Sequence, residues 1–189
     1  DIPESEHSQR IEPTDALRSL AVHPNRKEIA CGDRSGNVLI FDVNSMQFAR
    51  KVEAHDNEIL SLDYSKDKKS SSLLASASRD KLVHVFDSND DYSRFVTLDS
   101  HGSSVTSVKF SHDGSKLVSC GGDRMIFVNE VSREEKKVER RSSMCVPMGT
   151  IYDITIDPTD KFLVSTGQQK SLNVWNVKRA KIARSYKPD

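Results

Sequence analysis

Four short runs of the chain alternate apolar with small or polar residues: Leu17 to Val22, Ile59 to Tyr64, Val105 to Phe110 and Ile151 to Ile156. Alternation with a period of two marks a β-strand whose two faces meet different surroundings. The runs start 42, 46 and 46 residues apart, which is the repeat length of a propeller blade. Turn sequences follow them, such as His23-Pro24-Asn25, Ser111-His112-Asp113-Gly114 and Asp157-Pro158-Thr159-Asp160. A second strand then recurs in every unit (Glu28 to Cys31, Leu73 to Ser78, Lys116 to Cys120, Phe162 to Thr166) and ends on small residues. A polar turn opens a third strand that is apolar at almost every position, as expected where both faces are buried: Val38 to Val43, Leu82 to Asp87, Met125 to Val131 and Leu172 to Val177. More polar stretches complete the units as outer, edge strands: Gln47 to Val52, Arg94 to Leu98, Lys136 to Arg140 and Ile182 to Tyr186.

This pattern predicts an all-β fold, a partial β-propeller of four four-stranded blades spanning about 16–54, 55–100, 101–145 and 146–189. A helical solenoid of similar period would need a 3.6-residue apolar stripe, and none is present. Residues 1–15, with Pro3, Pro13 and several charges, read as a linker or an entering outer strand. A closed propeller typically needs more than four blades, so the remaining blades are expected from a longer parent chain. The start at Asp1, with no initiator Met and no signal-peptide pattern, is read the same way. Four blades alone would expose two interblade faces.

Composition narrows the partners. Lys plus Arg number 28 and Asp plus Glu also 28, so no long-range field favours nucleic acid or an anionic membrane. No apolar run approaches the roughly 18 residues of a membrane span. Cys31, Cys120 and Cys145 are an odd number without C-x-x-C spacing, which argues against a disulfide framework or a zinc site and for a reducing cytoplasmic or nuclear setting. Cys31 and Cys120 precede equivalent turns and read as small buried strand residues. The histidines His7, His23, His55, His84, His101 and His112 show no i, i+4 pairing, so no metal is expected, and without a glycine-rich phosphate loop no nucleotide or other cofactor is expected either.

Two units carry an apparent catalytic constellation: His55 with Ser76 or Ser78 and Asp80, then His101 with Ser119 and Asp123. A nucleophile needs one specially exposed site with an oxyanion hole, whereas this set recurs at repeat-equivalent positions and lacks a Gly-x-Ser-x-Gly elbow. The reading adopted is a structural hydrogen-bond relay in which the turn Asp orients the His and the strand hydroxyl satisfies it.

Trp175-Asn176, with Phe41-Asp42 and Phe86-Asp87 as aromatic variants, resembles the Trp-Asp ending of the WD-repeat family, which also carries a His before the first strand. Trp175 therefore joins the relay set. The third unit departs, with Asn129-Glu130 at that position. Within Lys51 to Phe110, the segments Glu53-Ala54-His55-Asp56, Leu73 to Asp80 and Thr97 to His101 resemble the second propeller of the mitogen-activated-protein-kinase-binding WD scaffolds, a family that includes the microcephaly-associated spindle-pole protein. The likeness runs from about Leu17 to Tyr186. It implies a cytoplasmic scaffold in c-Jun N-terminal kinase signalling, located at centrosomes or spindle poles, whose kinase docking element lies mainly after the propellers.

Two basic clusters remain, Lys66 to Ser72 and Arg133 to Ser143. In the second, Arg140-Arg141-Ser142-Ser143 resembles a basophilic-kinase site, making Ser142 and Ser143 candidate phosphorylation sites. Interleaved Glu134, Glu135 and Glu139 make a solvated loop or outer strand the plainer reading. No aromatic lies between Arg133 and Arg141 to stack on bases. The expected function is a non-enzymatic protein–protein interaction scaffold, with a ubiquitin-ligase substrate receptor or an axonemal structural protein as alternatives.

Overall fold

A computed structural model describes residues 15–66 and 72–187. Among them are sixteen strands and no helix. The first sheet holds β1 (Leu17–Val22), β2 (Glu28–Asp33), β3 (Asn37–Asp42) and β4 (Phe48–Glu53). The second holds β5 (Ile59–Tyr64), β6 (Leu73–Ser78), β7 (Val83–Asp87) and β8 (Ser93–Leu98). The third holds β9 (Val105–Phe110), β10 (Lys116–Gly121), β11 (Met125–Ser132) and β12 (Lys137–Cys145). The fourth holds β13 (Ile151–Ile156), β14 (Phe162–Gly167), β15 (Leu172–Asn176) and β16 (Lys181–Tyr186). Each is an antiparallel meander, here blades I to IV, and β1, β5, β9 and β13 pack beside one another in chain order. The architecture is that of a partial WD-type propeller. Residues 1–14 and 67–71, which carry most of the expected linker and of the first basic cluster, lie outside the described residues.

The packing follows from strand alternation. Leu73, Ala75 and Ala77 of β6 join Val105, Val108, Phe110 and Leu117 in a core between blades II and III. On its other face Leu74 joins Ala30, Ile40 and Phe86 in a core between blades I and II. Every residue of β6 is therefore buried, including Ser76 and Ser78. A third core, with Val118, Ile126, Ile154, Leu163 and Trp175, joins blades III and IV. Outer faces of the end blades have no such neighbour: Leu20 and Val22 are 68% and 53% exposed on β1, and Leu172 is 43% exposed on β15. The third strand of blade IV thus departs from the doubly buried pattern read in the sequence. Cys31 departs for the same reason, being only half-buried on the outward side of blade I.

β12 runs five residues beyond the expected end at Arg140, to Cys145. A register shift between Val128 and Asn129 accommodates an extra residue opposite them, so Arg141 breaks the alternation that would have marked the strand. Ser142 and Ser143 consequently sit on an outermost strand, not in a loop.

Candidate functional site

The segment carrying His55 is seated by Gly36. Its carbonyl accepts the amides of Ala54 and His55 at 3.2 and 2.9 Å. Its φ is +89°, and a Cβ there would lie 2.0 Å from the His55 carbonyl oxygen, so only glycine fits. His55 then reaches into blade II. Its Nδ1 lies 2.8 Å from Asp80 Oδ2 and its Nε2 2.7 Å from Ser76 Oγ. The carboxylate can only accept, which puts the proton on Nδ1 and makes Nε2 the acceptor of the Ser76 hydroxyl. Asp80 is itself held by the amides of Leu82 at 2.9 Å and Asp56 at 3.2 Å.

Blade III repeats the arrangement. His101 Nδ1 meets Asp123 Oδ2 at 2.9 Å and its Nε2 meets Ser119 Oγ at 2.9 Å, while Asp123 accepts the amides of Gly102 and Met125. The rings are packed by different neighbours on the third strand. His84 stacks on His55 with centroids 4.3 Å apart, and Phe127 meets His101 edge-on at 4.6 Å. Phe127 and His84 occupy equivalent places, opposite Ser119 and Ser76. Asn129, at the position of Phe86 and Trp175, instead donates to the Leu117 carbonyl at 3.3 Å.

Ser78 and Trp175 stand apart from the histidines. Ser78 donates to the Asn57 carbonyl at 2.9 Å and accepts the Asp80 amide at 3.1 Å, fixing the turn rather than the ring. Trp175, 2% exposed, donates from Nε1 to Ser165 Oγ at 2.8 Å. In blade IV the indole thus satisfies the hydroxyl that histidine satisfies in blades II and III. The loop before β13 is tied differently as well, by the Gln169 amide donating to the Met148 carbonyl.

Burial governs the electrostatics. Desolvation lowers the pKa of His55 and of His101 despite the carboxylate beside each. His84, desolvated and close to His55 and Arg94, is depressed to about 4. Burial alone would raise Asp80, but the Leu82 amide and His55 outweigh it and keep its carboxyl below the ordinary range. Neutral imidazole against ionised carboxylate is the resting state. The Ser-His-Asp order is that of a hydrolase triad, yet Ser76 and Ser119 are 0% and 2% exposed. No carbonyl can come within attacking distance of either hydroxyl without unpacking a blade.

His55, Asp80 and His84 also gather potential metal-ligand atoms within 4.8 Å of one another. The 29 residues separating His55 from His84 concealed this grouping from spacing rules. Both nitrogens of His55 are engaged with Asp80 and Ser76, and His84 Nδ1 with Thr97 at 2.9 Å. A cation there would have to break the relay.

Other polar groups join blades I and II. Tyr64 and Tyr92 hydroxyls lie 2.8 Å apart, and Tyr92 donates to Glu28 at 2.7 Å. Glu58, 7% exposed, pairs with Arg18 and Arg79, each at 2.8 Å. Cys120 is enclosed, and burial pushes its thiol up to about 12, so it is inert. Ser142 is half-buried opposite Val128, whereas Ser143 is exposed opposite Phe127. The neighbouring arginines are occupied, Arg140 over the Phe127 ring at 5.2 Å and Arg141 on Glu130 at 2.5 Å.

The model of the WD domain, G-beta repeat, matches residues 6–42, 46–87, 93–128 and 144–176. The chain is 38% identical over 180 residues to mitogen-activated protein kinase-binding protein 1 of Mus musculus, covering 94% of the chain and 12% of that protein. It is 37% identical over 187 residues to WD repeat-containing protein 62 of Sus scrofa, covering 97% and 12%. Nuclear distribution protein nudF of Aspergillus niger is 29% identical over 174 residues, covering 90% and 38%. The chain therefore spans about an eighth of the first two relatives. Four matched repeats, on four blades, place this chain in the WD-domain, G-beta-repeat family.

Proposed function

We propose that this chain is a non-catalytic segment of a protein-interaction scaffold in mitogen-activated, c-Jun N-terminal kinase signalling and centrosome or spindle-pole organisation. The observation that carries the non-catalytic part is the repetition of one buried His-Asp-Ser arrangement at equivalent positions of two blades. A catalytic centre is single and open, whereas a structural device recurs with the repeat. The signalling part is supported by 38% identity to a protein named for binding a mitogen-activated protein kinase. Its cellular setting by this reading is the cytoplasm, with the centrosome or spindle pole as the working site. The exposed apolar faces of blades I and IV meet further blades of a longer chain.

Affinity capture with the full-length protein from interphase and mitotic lysates tests the reading, with proteins quantified against a tag-only control. Enrichment of kinase-cascade or centrosomal components is the expected result. Recovery of ubiquitin-ligase or axonemal components in their place overturns the signalling assignment, and recovery of no specific protein overturns the scaffold reading itself.

A further inference from the structure

Between the outer halves of blades III and IV lies a groove of about 750 Å³. Lys116 and Arg141 stand on its blade III side, and Lys161, Lys178 and Arg179 on its blade IV side. Its apolar lining comes from the nearly buried side chains of Val128 and Val177 and from Phe162, which is 37% exposed. Only two carboxylates line it, and both are already committed. Asp160 accepts the amides of His112 and Asp113 at 2.8 and 3.0 Å, and Glu130 pairs with Arg141. Lys161, Lys178 and Arg179 have no ion-pair partner among the described residues. The chain as a whole is neutral, so this excess of positive charge is a local property of one groove and not a reflection of composition.

We propose that the groove is a docking site for an extended acidic peptide segment of a partner protein, with carboxylates on the cations and a small apolar side chain over Val128 and Val177. The inference deepens the interaction-scaffold reading above and rests on it. Charge complementarity selects the occupant. Unpaired cations along a groove steer and orient an anionic chain, while a recessed apolar strip rewards a side chain that a flat anionic bilayer does not possess. β12, the outermost strand of its sheet, borders the groove through Ser142, so an extended segment can also lie along its edge. Ser142 has a place in this scheme that Ser143 does not. A charge added at Ser142 enters the groove and competes with the ligand, whereas Ser143 is exposed on the opposite side of the strand.

The test is fluorescence anisotropy of the purified full-length protein with a labelled nine-residue probe peptide of Asp and Glu around one central Leu. Lys161→Glu/Arg179→Glu should weaken binding at least about tenfold, because two charges in direct apposition change sign. Lys27→Glu/Lys51→Glu makes the same change of net charge on blade I and should stay within about twofold. Ser142→Asp should weaken binding severalfold and Ser143→Asp should not. All substituted side chains are exposed or half-buried at the surface, and thermal melts check that each variant is folded. Equal losses in the two double variants overturn the proposal, as does binding no stronger than that of an uncharged peptide of the same length. Tighter binding of a nine-nucleotide single-stranded DNA through the same two residues assigns the groove to nucleic acid and also overturns it. If the lysate partners are still captured while the peptide fails, the groove is wrong and the scaffold reading stands. Loss of those partners with peptide binding intact means the reverse.

Discussion

Replacing His101 with alanine removes the contacts that close the blade III relay, and the structure sets what that costs. The Ser119 hydroxyl, 2% exposed, loses its partner at 2.9 Å, and Phe127 loses the edge contact at 4.6 Å. Asp123 is less affected, because the amides of Gly102 and Met125 remain on its oxygens. An orphaned buried hydroxyl costs about 1 to 3 kcal/mol and a lost aromatic contact about 0.5 to 1.5 kcal/mol, so the variant should be destabilised by about 2 to 4 kcal/mol. For a domain of this size that corresponds to a fall in Tm of about 5 to 15 °C. The assay is thermal unfolding of His101→Ala beside Ser119→Ala and the double variant. Because the residues share one bond, the double variant should fall short of the sum of the singles by about 1 kcal/mol. His112→Ala serves as the comparison, since its ring is partly exposed and pairs with Asp160 at the surface, and it should cost less than about 1 kcal/mol. If His101→Ala melts within 1 °C of the parent, or if the two single effects simply add, the relay is not what holds the blade together.

Acid should weaken the protein before its carboxylates titrate. His84 has a folded pKa of about 4, below its ordinary 6.5, so its contribution is fully present above pH 6.5 and is lost as pH falls from 6.5 to about 4. Discounted for solvent screening, His84 accounts for about 1 to 3 kcal/mol of that loss, and the lowered values of His55 and His101 act in the same direction. A Tm that stays flat between pH 7 and 4.5, or the same slope in His84→Gln, refutes this. Trp175→Phe leaves the Ser165 hydroxyl without its 2.8 Å donor and should cost about 1 to 3 kcal/mol in urea titrations, with Ser165→Ala adding little on top; full additivity of the two would contradict the pairing. Gly36→Ala drives a Cβ into the His55 carbonyl at positive φ and should cost more than about 1 kcal/mol while shifting the His55 imidazole resonances; unchanged resonances would show that the turn does not position His55.

The inner strands were legible because each alternates over most of its length, the one register shift in each falling at its start, and Leu17–Val22, Ile59–Tyr64, Val105–Phe110 and Ile151–Ile156 coincide with the sequence runs. The His, Ser and Asp of blades II and III were visible because each His stands four residues before its blade's inner strand and each Ser four residues before its Asp, which a repeat makes conspicuous. His84 was not, because it joins His55 only through the pairing of β7 with β6 opposite Ser76, and register cannot be read from one strand. The Tyr64, Tyr92 and Glu28 cluster and the pairing of Glu58 with Arg18 and Arg79 were hidden for a related reason. They form where one blade meets the next, across as many as 64 residues of chain. The full length of β12 was obscured by a bulge that places two arginines side by side.

The most direct test of the central claim, that these blades serve to hold other proteins, is cross-linking mass spectrometry of the native full-length protein with its bound partners, using a lysine-reactive reagent. Reproducible cross-links from blade lysines, Lys161 and Lys178 foremost, to residues of another protein are the result predicted. Partners that cross-link only to segments outside residues 15–187, with these lysines fully reactive yet never joined to another chain, would contradict it.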